Sequence, residues 1–160
     1  MSKFNWDDIP PLFKGKEKKL LKRPSFWDTL VQTDQDYIMW RSESVYRGYF
    51  IQMTDNGLLG WTLTFDPKQS TKNRKATMCD LCKFVHGGGS PGTHFFSVHN
   101  RDRTRSVSFL ACADLKCIDR CGETSVNSMR ETLSREQKIA RLHASVCDKL
   151  DQLRAFSTQA

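Results

Sequence analysis

The longest regular pattern of apolar and polar positions lies near the C-terminal end of the chain. There Ile139, Leu142, Val146, Leu150 and Leu153 recur at three- and four-residue intervals, with Phe156 beyond them. This spacing places them on one stripe of an α-helix, while Lys138, Arg141, Asp148 and Asp151 face elsewhere. Ser134-Arg-Glu-Gln137 supplies a start signal, because a Ser at the N-cap and a Gln three residues on each satisfy an amide of the other. An apolar stripe of this length must be covered, and the expected cover is the protein's own sheet or metal module, with a partner helix as the alternative. His143 and Cys147 stand one turn apart on this helix, but two ligands make a poor metal site, so Cys147 reads as a small core residue.

Upstream the pattern is strand-like. Tyr46–Thr54 and Leu58–Phe65 flank Asp55-Asn56-Gly57, a turn signal because Asn-Gly tolerates positive φ, and together they predict a hairpin. A second strand pair is expected from Thr93–Val98 and Ser106–Ala111, joined by the polar turn His99–Arg105 with its three arginines. Ser25–Leu30 and Asp36–Trp40 read as short helical turns. Residues 1–24 hold Lys14, Lys16, Lys18, Lys19, Lys22 and Arg23 with little periodic apolar content. They predict a basic flexible arm, with Phe4, Trp6 and Phe13 able to anchor it, ahead of one domain over residues 25–160. Asp66–Ala76 reads as a charged loop and Gly87–Gly92 as a glycine-rich one.

Cysteines change this picture most. Cys79-Asp-Leu-Cys82 and the group Cys112, Cys117 and Cys121 are separated by 29 residues. Two close-spaced groups brought together by a long segment are what a tetrahedral zinc site requires. Cys79 and Cys82 form the usual two-residue knuckle. Cys112, Cys117 and Cys121 compete for the two remaining places, and spacing alone leaves the choice open. The order of knuckle, hairpin, then cysteines running into a helix is the plan of a treble clef, so the expected fold is α+β with antiparallel hairpins and a packed C-terminal helix.

Composition narrows the function classes. The chain has 160 residues, 38% of them hydrophobic, with no apolar run near the roughly 18 that a membrane span needs, and its first residues lack the apolar core of a signal peptide. A cytoplasmic, reducing setting is therefore expected, and it suits six cysteines as thiols and metal ligands better than as disulfides. The formal charge of +7 falls to about +5 once four thiolates and one dication are counted, which still favours acidic partners. No enzyme is expected. His86-Gly-Gly-Gly lacks an accompanying Gly-x-Ser-x-Gly elbow, and the Gly87–Gly92 loop lacks the Lys-Ser or Lys-Thr ending of a phosphate-binding loop. Four thiolates would also close a zinc site that catalysis needs open. Neither a membrane nor a small-molecule substrate is implied.

Met78-Cys-Asp-Leu-Cys82, Cys112-Ala-Asp-Leu-Lys-Cys117 and Met129-Arg-Glu-Thr-Leu-Ser-Arg-Glu-Gln-Lys-Ile-Ala-Arg-Leu142 together resemble the treble-clef zinc-finger domain of the elongation factor G-binding proteins, the family of the FusB-type fusidic acid resistance proteins. Ile38-Met-Trp-Arg41 and the Tyr46–Phe65 hairpin extend the likeness, which runs from about residue 25 to 156. The resemblance implies one structural zinc on Cys79, Cys82, Cys112 and Cys117, with Cys121 falling where the family usually has no cysteine. It further implies a non-catalytic protein that binds the C-terminal part of elongation factor G. The resistance members free that factor from ribosomes stalled by fusidic acid, and they carry a further N-terminal helical domain where this sequence has the basic arm. Lys83, Phe84, His86, His94, His99, Arg101, Arg103 and Arg105 are the expected contact residues, read as exposed side chains near the finger. A second reading has the same arginines, with Phe95 or Phe96, bind RNA or the ribosome through phosphates and stacking.

Overall fold

In the N-terminal part of the chain, aromatic residues decide the packing. The computed structural model describes residues 2–66, 77–87, 92–100, 102–122 and 133–158. The chain forms an α+β fold that divides into two units, Met1–Leu63 and Thr64–Ala160.

The first unit opens with two 3-10 turns, Trp6–Asp8 and Pro10–Leu12, followed by the short helices α1 (Gly15–Leu20) and α2 (Trp27–Leu30). Strands β1 (Tyr37–Arg41), β2 (Arg47–Thr54) and β3 (Gly57–Thr64) follow as antiparallel neighbours, with Trp40 opposite Tyr49 across β1 and β2. Residues 1–24 were expected as a flexible arm, yet Phe4, Ile9, Phe13 and Leu21 are buried in one core with Trp27, Ile38, Trp40, Tyr49 and Ile51. The rings of Trp6, Trp27 and Trp40 meet edge to face at centroid distances of 5.1, 5.9 and 6.5 Å. Each such pair adds about 0.5–1.5 kcal/mol beyond area burial. No single period marks this segment, because its buried residues are delivered by turns.

Asp36–Trp40, expected as a helical turn, is largely strand β1. Tyr37, Ile38, Met39 and Trp40 are all buried, so both faces of the strand are covered and the run shows no alternation to betray it. The β2–β3 hairpin forms as predicted around Asp55 and Asn56, with Gly57 alone taking positive φ, at 112°. Gly60 permits a close approach, since an added Cβ would lie 3.1 Å from the Phe13 ring and the ring would have to give by a few tenths of an ångström.

In the second unit, Thr64 registers with Ser97 of β6 (Thr93–His99), and β6 pairs along its length with β7 (Ser106–Cys112). A small hairpin, β4 (Thr77–Met78) with β5 (Val85–His86), carries the first cysteine pair at its turn. Helix α3 (Cys117–Arg120) begins inside the second cysteine group, at Cys117, and α4 (Arg135–Thr158) closes the unit. The predicted stripe is in place: Leu142, Val146, Leu150 and Leu153 are buried, while Lys149 lies over the Phe109 ring and Arg105 over Phe156. The capping box is made in both directions, Ser134 N to Gln137 Oε1 at 2.9 Å and Gln137 N to Ser134 Oγ at 3.2 Å. Cys147, read as a core residue, is exposed, because the helix stripe passes through Val146 beside it. The expected loops at residues 67–76 and 88–91, and the helix motif upstream of Leu133, fall outside the described residues.

Candidate metal centre

Cys79 and Cys82 stand on a turn that is closed by backbone bonds from Lys83 N to Cys79 O and from Cys79 N to Phe84 O, both 3.0 Å. Closing it requires Lys83 to adopt φ 64°. Leu81 N and Cys82 N point at the Cys79 sulfur, at 3.3 and 3.4 Å. Asp80 ties the turn to β7, its N–H donating to Leu110 O and its carboxylate accepting from Leu110 N, both at 2.8 Å.

The second cysteine group has the same economy. Cys112 ends β7, Leu115 turns the chain with φ 53°, and Cys117 begins α3. Asp114 holds this turn by accepting from Lys116 N at 2.9 Å and from Arg120 at 2.6 Å. The nearly buried Arg120 guanidinium in turn lies 6.0 Å from the Phe84 ring of the first turn. Arg141 of α4 donates to Cys82 O at 3.1 Å, so the C-terminal helix is fastened to the cysteine site.

These constraints bring Cys79, Cys82, Cys112 and Cys117, all buried, together with their sulfurs within 4.8 Å of one another. The pairs Cys82–Cys112 and Cys79–Cys117 are separated by 3.5 and 3.7 Å. A tetrahedral Zn²⁺ with Zn–S bonds of about 2.3 Å sets its sulfurs about 3.8 Å apart, so the cluster fits one structural zinc ion. Hydrogen bonds from Cys112, then Cys117 and Cys82, hold the Cys79 thiol far below its usual range. Cys117 is held well above it, first by its bond to Cys112. Bare sulfurs at this spacing compete for protons, whereas a dication takes them all as thiolates. Cys121 is buried but lies outside the four-sulfur group, its Sγ directed at Cys117 O at 3.6 Å. Burial, then the Cys82 charge, pushes its thiol up. The choice that spacing left open is thus made by backbone direction: Cys121 closes the short α3, and its side chain turns back along that helix.

The expected contact residues separate into two groups. Phe84, His86 and His94 are buried and present no side chain to a partner. Knuckle and strand fold back over them: Phe84 packs on His86 at 4.8 Å, and His94 on Phe65 at 4.9 Å. Lys83 and His99 are half-buried and Arg103 and Arg105 exposed, while Arg101 is outside the described residues. Lys83 donates to Asp80 O at 2.7 Å, and burial followed by the nearby Arg103 lowers the pKa of His99. Sequence reasoning missed Met78 and Ile118, both exposed apolar residues beside the cysteines. Both are chain neighbours of a ligand cysteine, but adjacency alone could not have found them, because Leu81, Ala111 and Ala113 also flank the cysteines and are buried. Phe95 is also exposed, whereas Phe96 is buried.

A treble-clef zinc finger is the class that this knuckle, hairpin, second cysteine group and helix define. The sequence matches the family described as the FBP C-terminal treble-clef zinc-finger over residues 13–153, and the chain belongs to that family. Among solved structures it is similar to that of the fusidic acid resistance protein FusC, with a TM-score of 0.54 and 16% sequence identity. The likeness covers 92% of this chain and 59% of that one, and at this identity it speaks for the fold. No curated protein matches the sequence. Among the described residues no helix is long and apolar enough to cross a membrane.

Proposed function

We propose that this chain is a zinc-stabilised binding protein for elongation factor G that acts in translation in the cytoplasm, influencing release of the factor from the ribosome without catalysis. The zinc is held by Cys79, Cys82, Cys112 and Cys117 and folds the binding platform. Membership of the zinc-finger family is the observation that carries this reading, together with the likeness of the cysteine and helix motifs to elongation factor G-binding proteins. The chemistry agrees with binding rather than catalysis, because four thiolates fill a tetrahedral ion and leave no position for substrate.

The contact surface proposed is the outward face of the second unit. Phe95 registers with Leu110, which is hydrogen-bonded to the backbone N–H and the carboxylate of Asp80 in the knuckle, so an exposed apolar side chain sits beside the metal turn. Arg103 and Arg105 extend from the same hairpin and Lys83 from the knuckle. An apolar centre with a basic rim suits an acidic protein surface.

Calorimetric titration of the zinc-loaded protein with purified elongation factor G, at two salt concentrations and beside a ribosomal RNA fragment, tests the proposal. Saturable binding to the factor that survives the higher salt is the expected result. No heat with the factor, but salt-sensitive binding to RNA, would overturn it in favour of a nucleic-acid-binding finger.

A further inference from the structure

His86 is 2% exposed, and its Nε2 lies 3.2 Å from the sulfur of Cys112, which is fully buried. A buried zinc site with four thiolates carries a net charge of −2, which must be offset by N–H donors directed at sulfur. Cys79 receives two such donors from the backbone of its own turn. Cys112 sits differently. Of the amides that follow it, Ala113 N donates to Gly92 O at 3.0 Å, Leu115 N to Cys112 O at 2.9 Å, and Lys116 N to Asp114 Oδ1 at 2.9 Å. Of the four amides that follow Cys112, all but that of Asp114 are thereby committed to oxygen.

The imidazole brings a ring nitrogen to this sulfur from the other cysteine turn. His86 is delivered by β5, opposite Thr77 of β4, and its ring is packed edge-on against Phe84. It is not itself a member of the group whose ligand atoms lie within 4.8 Å of one another.

We propose that His86 is a positioning residue of the metal centre, donating its Nε2–H to the Cys112 thiolate and thereby strengthening zinc binding. This rests on the zinc reading above. A metal-bound thiolate has no proton to give, so the bond exists only if the ring carries its proton on Nε2; the tautomer is therefore a direct consequence. Partners that orient a metal ligand in this way commonly account for a 10- to 100-fold difference in affinity.

Metal analysis of the wild-type protein comes first, and absence of zinc would overturn both readings. In the zinc-loaded wild type, nitrogen NMR should show His86 protonated at Nε2, and loading with cadmium-113 should give a coupling between that proton and the metal through sulfur. A bare Nε2, or a direct nitrogen–cadmium coupling marking His86 as a ligand, overturns the inference while leaving the zinc reading intact. These measurements need no variant. By chelator competition, His86→Phe should bind zinc about 10- to 100-fold more weakly, and His86→Gln, which keeps an N–H donor, should recover most of the loss. Unchanged affinity in His86→Phe, or a His86→Gln protein as weak as His86→Phe, would leave the ring with a packing role alone.

Discussion

Tyr49 is fully buried, and its hydroxyl has no hydrogen-bond partner among the described residues. Burial first, then the Glu17 carboxylate, raises its pKa to about 12. The unfolded chain releases the phenolic proton near pH 10, so the neutral form favours the fold below that pH, and the advantage disappears as pH rises from about 10 to 12. One pKa unit corresponds to about 1.4 kcal/mol, so roughly 2–3 kcal/mol is at stake. Tyr49→Phe should therefore unfold less steeply across this alkaline window in denaturant titrations and be no less stable at neutral pH; a parallel pH dependence would refute the assignment. At the same scale, residue type alone misled on Phe84, His86 and His94. Aromatic and imidazole side chains suit a contact surface and a core equally well, and only the path of the backbone over them decides.

Among the elements, α4 was legible because its period, its cap and its stripe agree. Ser134→Ala should cost about 0.5–2 kcal/mol of stability, measured by chemical denaturation, since it removes one half of the capping box. Leu150, fully buried on the stripe, should cost about 2–5 kcal/mol when cut to Ala. An equivalent change at exposed Cys147 should be nearly silent. Strand β1 was not legible, because a strand buried on both faces loses the alternation that identifies strands. The N-terminal segment escaped for a related reason: Phe4, Ile9 and Phe13 enter the core from short turns, and turns impose no period on what they bury.

For the whole molecule, metal and fold are one equilibrium. Ligation contributes about 10–16 kcal/mol of apparent free energy in small zinc modules, of the order of a domain's entire stability, so an excess of chelator should unfold the second unit, read by circular dichroism. Cys117→Ser and Cys112→Ser should lose the ion in metal analysis, whereas Cys121→Ser should keep one zinc per chain. Retention in the first two with loss in the third would reverse the assignment. The cysteine spacing made a zinc centre legible, yet three residues remained for two places, because spacing records distance along the chain and carries no side-chain direction.

What the sequence determined by itself is whatever local physics controls: the capped amphipathic helix, the hairpins announced by alternation and turn residues, and the two cysteine groups suited to zinc. Tertiary structure alone decided which cysteines converge, which aromatic residues are covered, and that His86 meets the sulfur of Cys112. Those outcomes depend on contacts between residues far apart in the chain. Two positive-φ turns, at Lys83 and Leu115, aim side chains that no local pattern encodes.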